Sequence, residues 1–229
     1  MHRFSIILRL WATALALFSV SYAQEFAPRM LAILNGKDAE VTLISGETVS
    51  GRVSAYKFRR GLITEFTLRT GEGERRIPAA VIQSMDVETS AAGRLIAVAE
   101  TADGTLHRAI NTDLGGFSRS RLHFDQALLP GRKPAHVLLQ QVNEGFDSRI
   151  QVYDNPRAGE TVALNGLIGG LLNSYYVIRG GEAMRVHKRT YEAQFDALYG
   201  DCPALRQQFP KIRWTDFAEH VAAHERLCR

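Results

Sequence analysis

The sequence predicts an α+β protein: a mostly antiparallel β body, arranged as a sandwich or curled sheets, followed by a small C-terminal helical segment. Three observations predict it. Short runs of alternating polar and apolar residues, separated by glycine-containing turns, continue from about residue 39 to 187, the spacing of an all-β sandwich or curled sheet. After His187 the apolar residues recur at helical spacing instead. The composition agrees, because 229 residues that are 45% apolar and 23% charged exclude a disordered or collagen-like chain and suit one domain or two small ones.

The first element is an address. Met1 to Arg9 carries two arginines and no acid, Leu10 to Val20 is a mostly apolar run, and Ser21-Tyr22-Ala23 places small residues just before Gln24. That is the three-part pattern of a secretory signal peptide cleaved after Ala23. A membrane anchor is the alternative, but Arg9 interrupts the stretch, and about 20 apolar residues are needed to span a bilayer. No cysteine follows the cleavage point, which argues against lipid attachment there. Export would place the chain in the periplasm, at the outer membrane or outside the cell.

The strands come next. Val41, Leu43, Val49 and Val53 fit one face of a hairpin over Glu40–Leu43 and Thr48–Tyr56, with Gly46 in the turn. Further strands are expected at Ile63–Arg69, Glu74–Ile77 and Val81–Val87; Pro78 has no N–H for a ladder and marks an edge or an end. Leu95–Thr101 and Thr105–Ile110 flank the hairpin signal Ala102-Asp103-Gly104. His136–Val142 and Ser148–Tyr153 flank Gly145, and Tyr175–Arg179 and Glu182–His187 flank Gly180-Gly181. Two stretches resist assignment. Residues 113–134 fit a strand, a short helix or a loop. Ala163–Leu172 is apolar and glycine-rich, and reads either as a buried, tightly turning loop or as an exposed contact.

Three helices complete the chain. Tyr191, Phe195, Leu198 and Tyr199 share a helical face that Thr190 would cap and Gly200 would end. Asp201 would cap a second helix with Pro203 in its first turn, stopped by Pro210. Thr215 would cap a third, on which Trp214, Phe217, Val221, His224 and Cys228 form one seam.

Charge and cysteines take their meaning from export. Half of the formal net charge of +4 belongs to Arg3 and Arg9 in the leader, so the mature chain offers no electrostatic case for nucleic acid. Arg52, Lys57, Arg59, Arg60, Arg69, Arg75 and Arg76 crowd one region, but Glu47, Glu65, Glu72 and Glu74 are interspersed; an anion-binding patch and a solvated strand face both fit. In an oxidising compartment Cys202 and Cys228 read as a pair. Their bond would close a loop of about 27 residues, worth roughly 3–4 kcal/mol. A catalytic thiol has no local activating motif to support it.

Read in order, several pieces form a resemblance. They are Val41 to Gly51 as a strand, G-E-T-x-x-G, strand opening; the hairpin Leu138 to Tyr153; Tyr175-Tyr176-Val177; Gly200-Asp201-Cys202-Pro203-Ala204-Leu205; and a cysteine next to the C-terminus. This order resembles a group of uncharacterised exported proteins of Bacteroidetes-type bacteria, although His224-Glu225-Arg226-Leu227-Cys228 stands where the group has Tyr-Asn before its cysteine. The resemblance implies export and the disulfide, and no catalytic residue. Residues 39–87, through Arg76-Ile77-Pro78-Ala79-Ala80-Val81-Ile82, are similar to a small Sm-like or SH3-like barrel. Four regions follow: a signal peptide at 1–23, a barrel-like β region at 24–90, a second β region at 91–187, and a disulfide-closed helical segment at 188–229.

Catalytic strings are absent. Gly116-Phe117-Ser118-Arg119-Ser120 lacks the last glycine of a nucleophile elbow, and there is no phosphate-binding loop, C-x-x-C or dinucleotide fingerprint. His220 and His224, four apart on the third helix, are the one metal candidate, weighed against packing on the apolar seam. Asp113, Asp125, Asp147 and Asp154 could meet in space, but their spacing imposes nothing; His107, His123, His136 and His187 have no fixed partner. No cofactor is expected. The expected function is a non-catalytic interaction or structural module of the bacterial envelope, with an exported hydrolase of dispersed site residues as the alternative and a metal sensor using His220 and His224 third. Leu167, Ile168, Leu171, Leu172, Tyr175 and Tyr176 are the candidate contact surface, toward another envelope protein, a second copy or a membrane surface.

Overall fold

Alternation decides the first hairpin. Strands β1 (Asp38–Leu43) and β2 (Thr48–Arg59) pair antiparallel with Val41 opposite Val49, and Val41, Leu43, Val49 and Val53 are all buried. Gly46 turns the chain at a φ of 85°, a left-handed conformation that other residues adopt at a cost. The computed structural model describes residues 26–27, 34, 36–59, 62–89, 121–129, 135–155, 174–180 and 182–228. Residues 1–23, the 95–110 hairpin and the 163–172 stretch lie outside them.

The chain continues through β3 (Leu62–Thr70), β4 (Gly73–Pro78), one 3-10 turn at Ala79–Val81 and β5 (Ile82–Glu88). Strands β6 (Arg121–Leu129) and β7 (Ala135–Gln140) then join the same sheet. Its order is β2-β1-β5-β6-β7-β3-β4, with β2 also paired to β3, so six strands close into a barrel and β4 lies outside the ring. Two register shifts, at Val53/Ala55 and Lys57/Phe58, bend the long β2 around it. The seam is narrow, since β3 meets β7 through the single pair Ile63 and Leu138. Phe66, Leu68, Ile82, Met85, Val87 and Phe124 fill the interior.

Two expectations change here. The ambiguous 113–134 stretch contains β6, and β6 and β7 complete the first sheet although the sequence reading divides the regions at residue 90. Long-range pairing is the reason: β6 lies between β5 and β7, a choice that no local period records. The hairpin Leu138 to Tyr153 also divides. Strand β7 gives its ladder to β6, and only the Gln141–Tyr153 bridge and the Val142 N–H to Val152 carbonyl bond of 2.8 Å continue it. Strand β8 (Ile150–Asp154) instead begins a second sheet, β10-β9-β8, with β9 (Ser174–Arg179) and β10 (Glu182–His187).

Helices α1 (Tyr191–Tyr199), α2 (Pro203–Gln208) and α3 (Phe217–Leu227) pack on this second sheet around one aromatic core. Tyr191, Phe195, Leu198 and Tyr199 face inward, as their spacing predicts. The caps differ from expectation. The Thr190 hydroxyl bonds the His187 carbonyl and the Gln194 side chain, not a first-turn N–H. Cys202, not Asp201, precedes α2, and Thr215 lies inside a 3-10 turn that delays α3 to Phe217. Gly200 ends α1 at a right-handed φ of −63°. Close approach explains the glycine there, because a Cβ would sit 2.5 Å from the Asp196 carbonyl oxygen. Cys202 and Cys228 are joined, with Cα atoms 5.6 Å apart, fastening the start of α2 to the end of α3.

Candidate functional site

A connected polar cluster lies where the barrel meets the second sheet. On β5 and β6, Met85, Val87, Leu122 and Phe124 point into the barrel, so alternation puts Asp86, His123 and Asp125 on its outer face. His123 stands directly opposite Asp86. Its Nδ1 lies 3.0 Å from Asp86 Oδ1 and its Nε2 lies 3.2 Å from Asp125 Oδ1. The second oxygen of Asp125 accepts the Tyr153 hydroxyl of β8 at 2.9 Å. Around them the His123 N–H donates to Glu144, the Gln141 N–H donates to the His123 carbonyl, and the Gln141 side chain donates to Asp147.

This geometry sets the charges. Hydrogen bonding to Asp125, then to Asp86, outweighs burial and raises His123 to about 9, so the ring is an imidazolium at neutral pH. Burial and the neighbouring Asp125 carboxylate push the Tyr153 hydroxyl far up, and it remains a donor. A histidine acting as general base needs a lone pair facing the proton it takes. Here both ring nitrogens are bound to carboxylates, and the Tyr153 hydroxyl is bound as well.

The second polar group lies in the aromatic core. His220 and His224 share the buried face of α3, but each imidazole has its own partner. His220 Nδ1 lies 2.6 Å from the Tyr191 hydroxyl, and its ring packs edge-on against Phe195 and Phe209. Burial lowers His220 to about 4, so it is neutral and Tyr191 donates to it. His224 Nε2 lies 3.2 Å from Asp201 Oδ1, while Arg179 pairs with the other oxygen of Asp201 at 2.5 Å. Against the cost of partial burial, the His224 bond and the Arg179 guanidinium hold Asp201 below the usual carboxylate range. Among the described residues no group of three or more His, Cys, Asp and Glu is placed to hold a metal ion. The two histidines are packed side chains.

Other expected site residues are placed as follows. Tyr175 is buried among Phe26, Trp214 and Phe217, which withdraws it from any contact surface. Tyr176 is half-buried against the small cluster of Tyr153, Val137 and Leu139. Leu167, Ile168, Leu171 and Leu172 lie outside the described residues. In the basic stretch Arg52 pairs with Asp38, Lys57 with Glu65, Arg69 with Glu74 and Arg75 with Glu47, all near the surface; these acids offset much of its positive field.

Comparison with protein-family models, curated proteins and solved structures returned no match to this chain. Its class is that of the fold itself, a closed β barrel joined to a second antiparallel sheet and a short helical end.

Proposed function

We propose that this chain is an exported, non-catalytic interaction or structural module of the bacterial envelope, released from its leader after Ala23. The Cys202–Cys228 bond carries the export reading. Both cysteines are buried, no free thiol remains, and such bonds persist in oxidising compartments. The non-catalytic part is supported by the barrel cluster, where both ring nitrogens of His123 are bound to carboxylates. The resemblance to exported Bacteroidetes-type proteins belongs to the same proposal. So does the Sm-like or SH3-like character of residues 39–87, supported by the order β4-β3-β2-β1-β5 and the helical turn before β5. The contact surface is proposed at Leu167, Ile168, Leu171 and Leu172 with Tyr176, toward another envelope protein, a second copy or a membrane surface.

The test is to express the full chain with its leader in a Gram-negative host, fractionate the cells and weigh the protein. The expected result is an envelope-fraction chain beginning at Gln24 without free thiols. A cytoplasmic chain that retains its leader and two thiols would overturn the reading. Deleting residues 163–172 should abolish envelope association or self-association; if both persist, the contact assignment is wrong.

A further inference from the structure

Phe26 and Ala27 belong to the second core, far in sequence from the strands and helices that build it. Phe26 meets three rings from three separate elements: Phe146 of the β7–β8 connection, Tyr175 of β9 and Phe217 of α3, with centroids 6.2, 5.0 and 5.2 Å away. Ala27 is buried beside it, and its N–H donates to the Val142 carbonyl at 2.6 Å. Val142 is also the residue whose own N–H reaches Val152 across the barrel–sheet junction. Further along, the same segment is anchored in the barrel. Leu34 is buried in the barrel core, the Gly36 N–H donates to the Val53 carbonyl at 2.7 Å, and the Lys37 carbonyl accepts the Val53 N–H at 2.8 Å.

We propose that this segment is a strap between the two cores, with Phe26 as its key in an aromatic pocket, and that the key docks only after the leader has been cut away. The proposal rests on the leader reading, which puts the cleaved bond between Ala23 and Gln24. Phe26 is the third residue beyond that bond, so even a fully extended chain keeps the bond within about 10 Å of the Phe26 backbone.

That short reach sets the order of events. A protease draws the residues on either side of a bond into an exposed, extended stretch, so burial and backbone pairing next to the bond protect it. With Phe26 among its three rings and the Ala27 N–H on Val142, the residues just past the bond are committed to the fold. Docking and cutting therefore compete for the same few residues. A chain that docks its strap first keeps its leader, and a chain that is cut first gains the key that completes the second core.

The experiment refolds the full chain with its leader and exposes it to purified signal peptidase, beside Phe26→Ala treated in the same way. The folded wild type should be cut after Ala23 at least about tenfold more slowly than Phe26→Ala. Amide hydrogen exchange on the same two proteins gives the second reading. Protection at Val142 and Val152 should be at least about tenfold lower in Phe26→Ala, while Val41 and Val49 keep theirs. Equal cutting of the two proteins overturns the order of events, and equal protection overturns the strap. If neither protein is cut after Ala23, the leader reading and the order of events both fail, and the exchange measurement still decides the strap. If Phe26→Ala does not fold, Phe26→Leu takes its place with the same expected order of rates, and equal rates again overturn the proposal.

Discussion

Asn143 is fully buried in the β7–β8 connection, and its side chain supports three backbone groups. Its Nδ2 donates to the Phe146 carbonyl at 3.0 Å and the Ile150 carbonyl at 2.6 Å, and its Oδ1 accepts the Val152 N–H at 2.7 Å. Asn143→Leu keeps the approximate volume and removes all three bonds. An orphaned buried polar group costs about 1–3 kcal/mol, and the two carbonyls retain a second lone pair for partial compensation. The expected loss is therefore about 3–6 kcal/mol, a large part of a typical total of about 5–15. Urea unfolding followed by far-UV circular dichroism measures it as a lower midpoint at unchanged slope. Asn143→Asp should also destabilise, because it keeps the acceptor, loses both donations and buries a charge. A loss below about 1 kcal/mol for Asn143→Leu would refute the reasoning and mean that the turn holds its shape without this side chain.

Replacing both Cys202 and Cys228 by serine should cost about 3–4 kcal/mol in denaturant, and the reduced wild type should unfold at nearly the same midpoint; a reduced protein as stable as the oxidised one would contradict the fastening role. Gly200→Ala should destabilise by about 1–3 kcal/mol in thermal melts, since the added methyl meets the Asp196 carbonyl; a neutral effect would mean that the end of α1 can shift. His220 gives the opposite sign to His123. Its folded value of about 4 lies below the ordinary one, so its stabilisation is present above about 6.5 and is lost as pH falls toward 4. The acid-side slope of stability should therefore be shallower in His220→Gln than in the wild type, measured over the same pH range.

What the sequence made legible follows from where each element is buried. Strands β1 and β2 cover the barrel with one face, so period two is written plainly, and α1 does the same at helical spacing. Strand β7 is covered on both faces: Leu138 points into the barrel, while Val137 and Leu139 pack with Tyr153 outside it. Its apolar run is therefore continuous and carries no face. In β6 the buried positions change from Leu122 and Phe124, which face the barrel interior, to Ala127 and Leu129, which face the outer cluster with Val137 and Tyr153, and this change of face broke the alternation that would have revealed a strand. The junction cluster was half legible. His123 and Asp125, two apart, share a face once β6 is a strand, but Asp86 and Tyr153 come from partners that only long-range pairing supplies. Helix caps misled for a physical reason: Thr190 and Asp201 have side-chain partners that outcompete the first-turn amides.

The ring order has a consequence for how the chain assembles. Strands β1 to β5 form a continuous sheet by themselves, in the order β4-β3-β2-β1-β5, but β6 and β7 must arrive before it can close. The outer edge of β5 waits for β6 and the β7-facing end of β3 waits for residue 138 of β7, and until then the barrel interior is open on that side. Such contacts between distant segments form late and slowly. Closure of the ring should then precede formation of the Cys202–Cys228 bond, whose second cysteine follows β7 by more than eighty residues. A chain interrupted before β7 would present an unpaired sheet edge to its neighbours, the state in which aggregation competes best with folding.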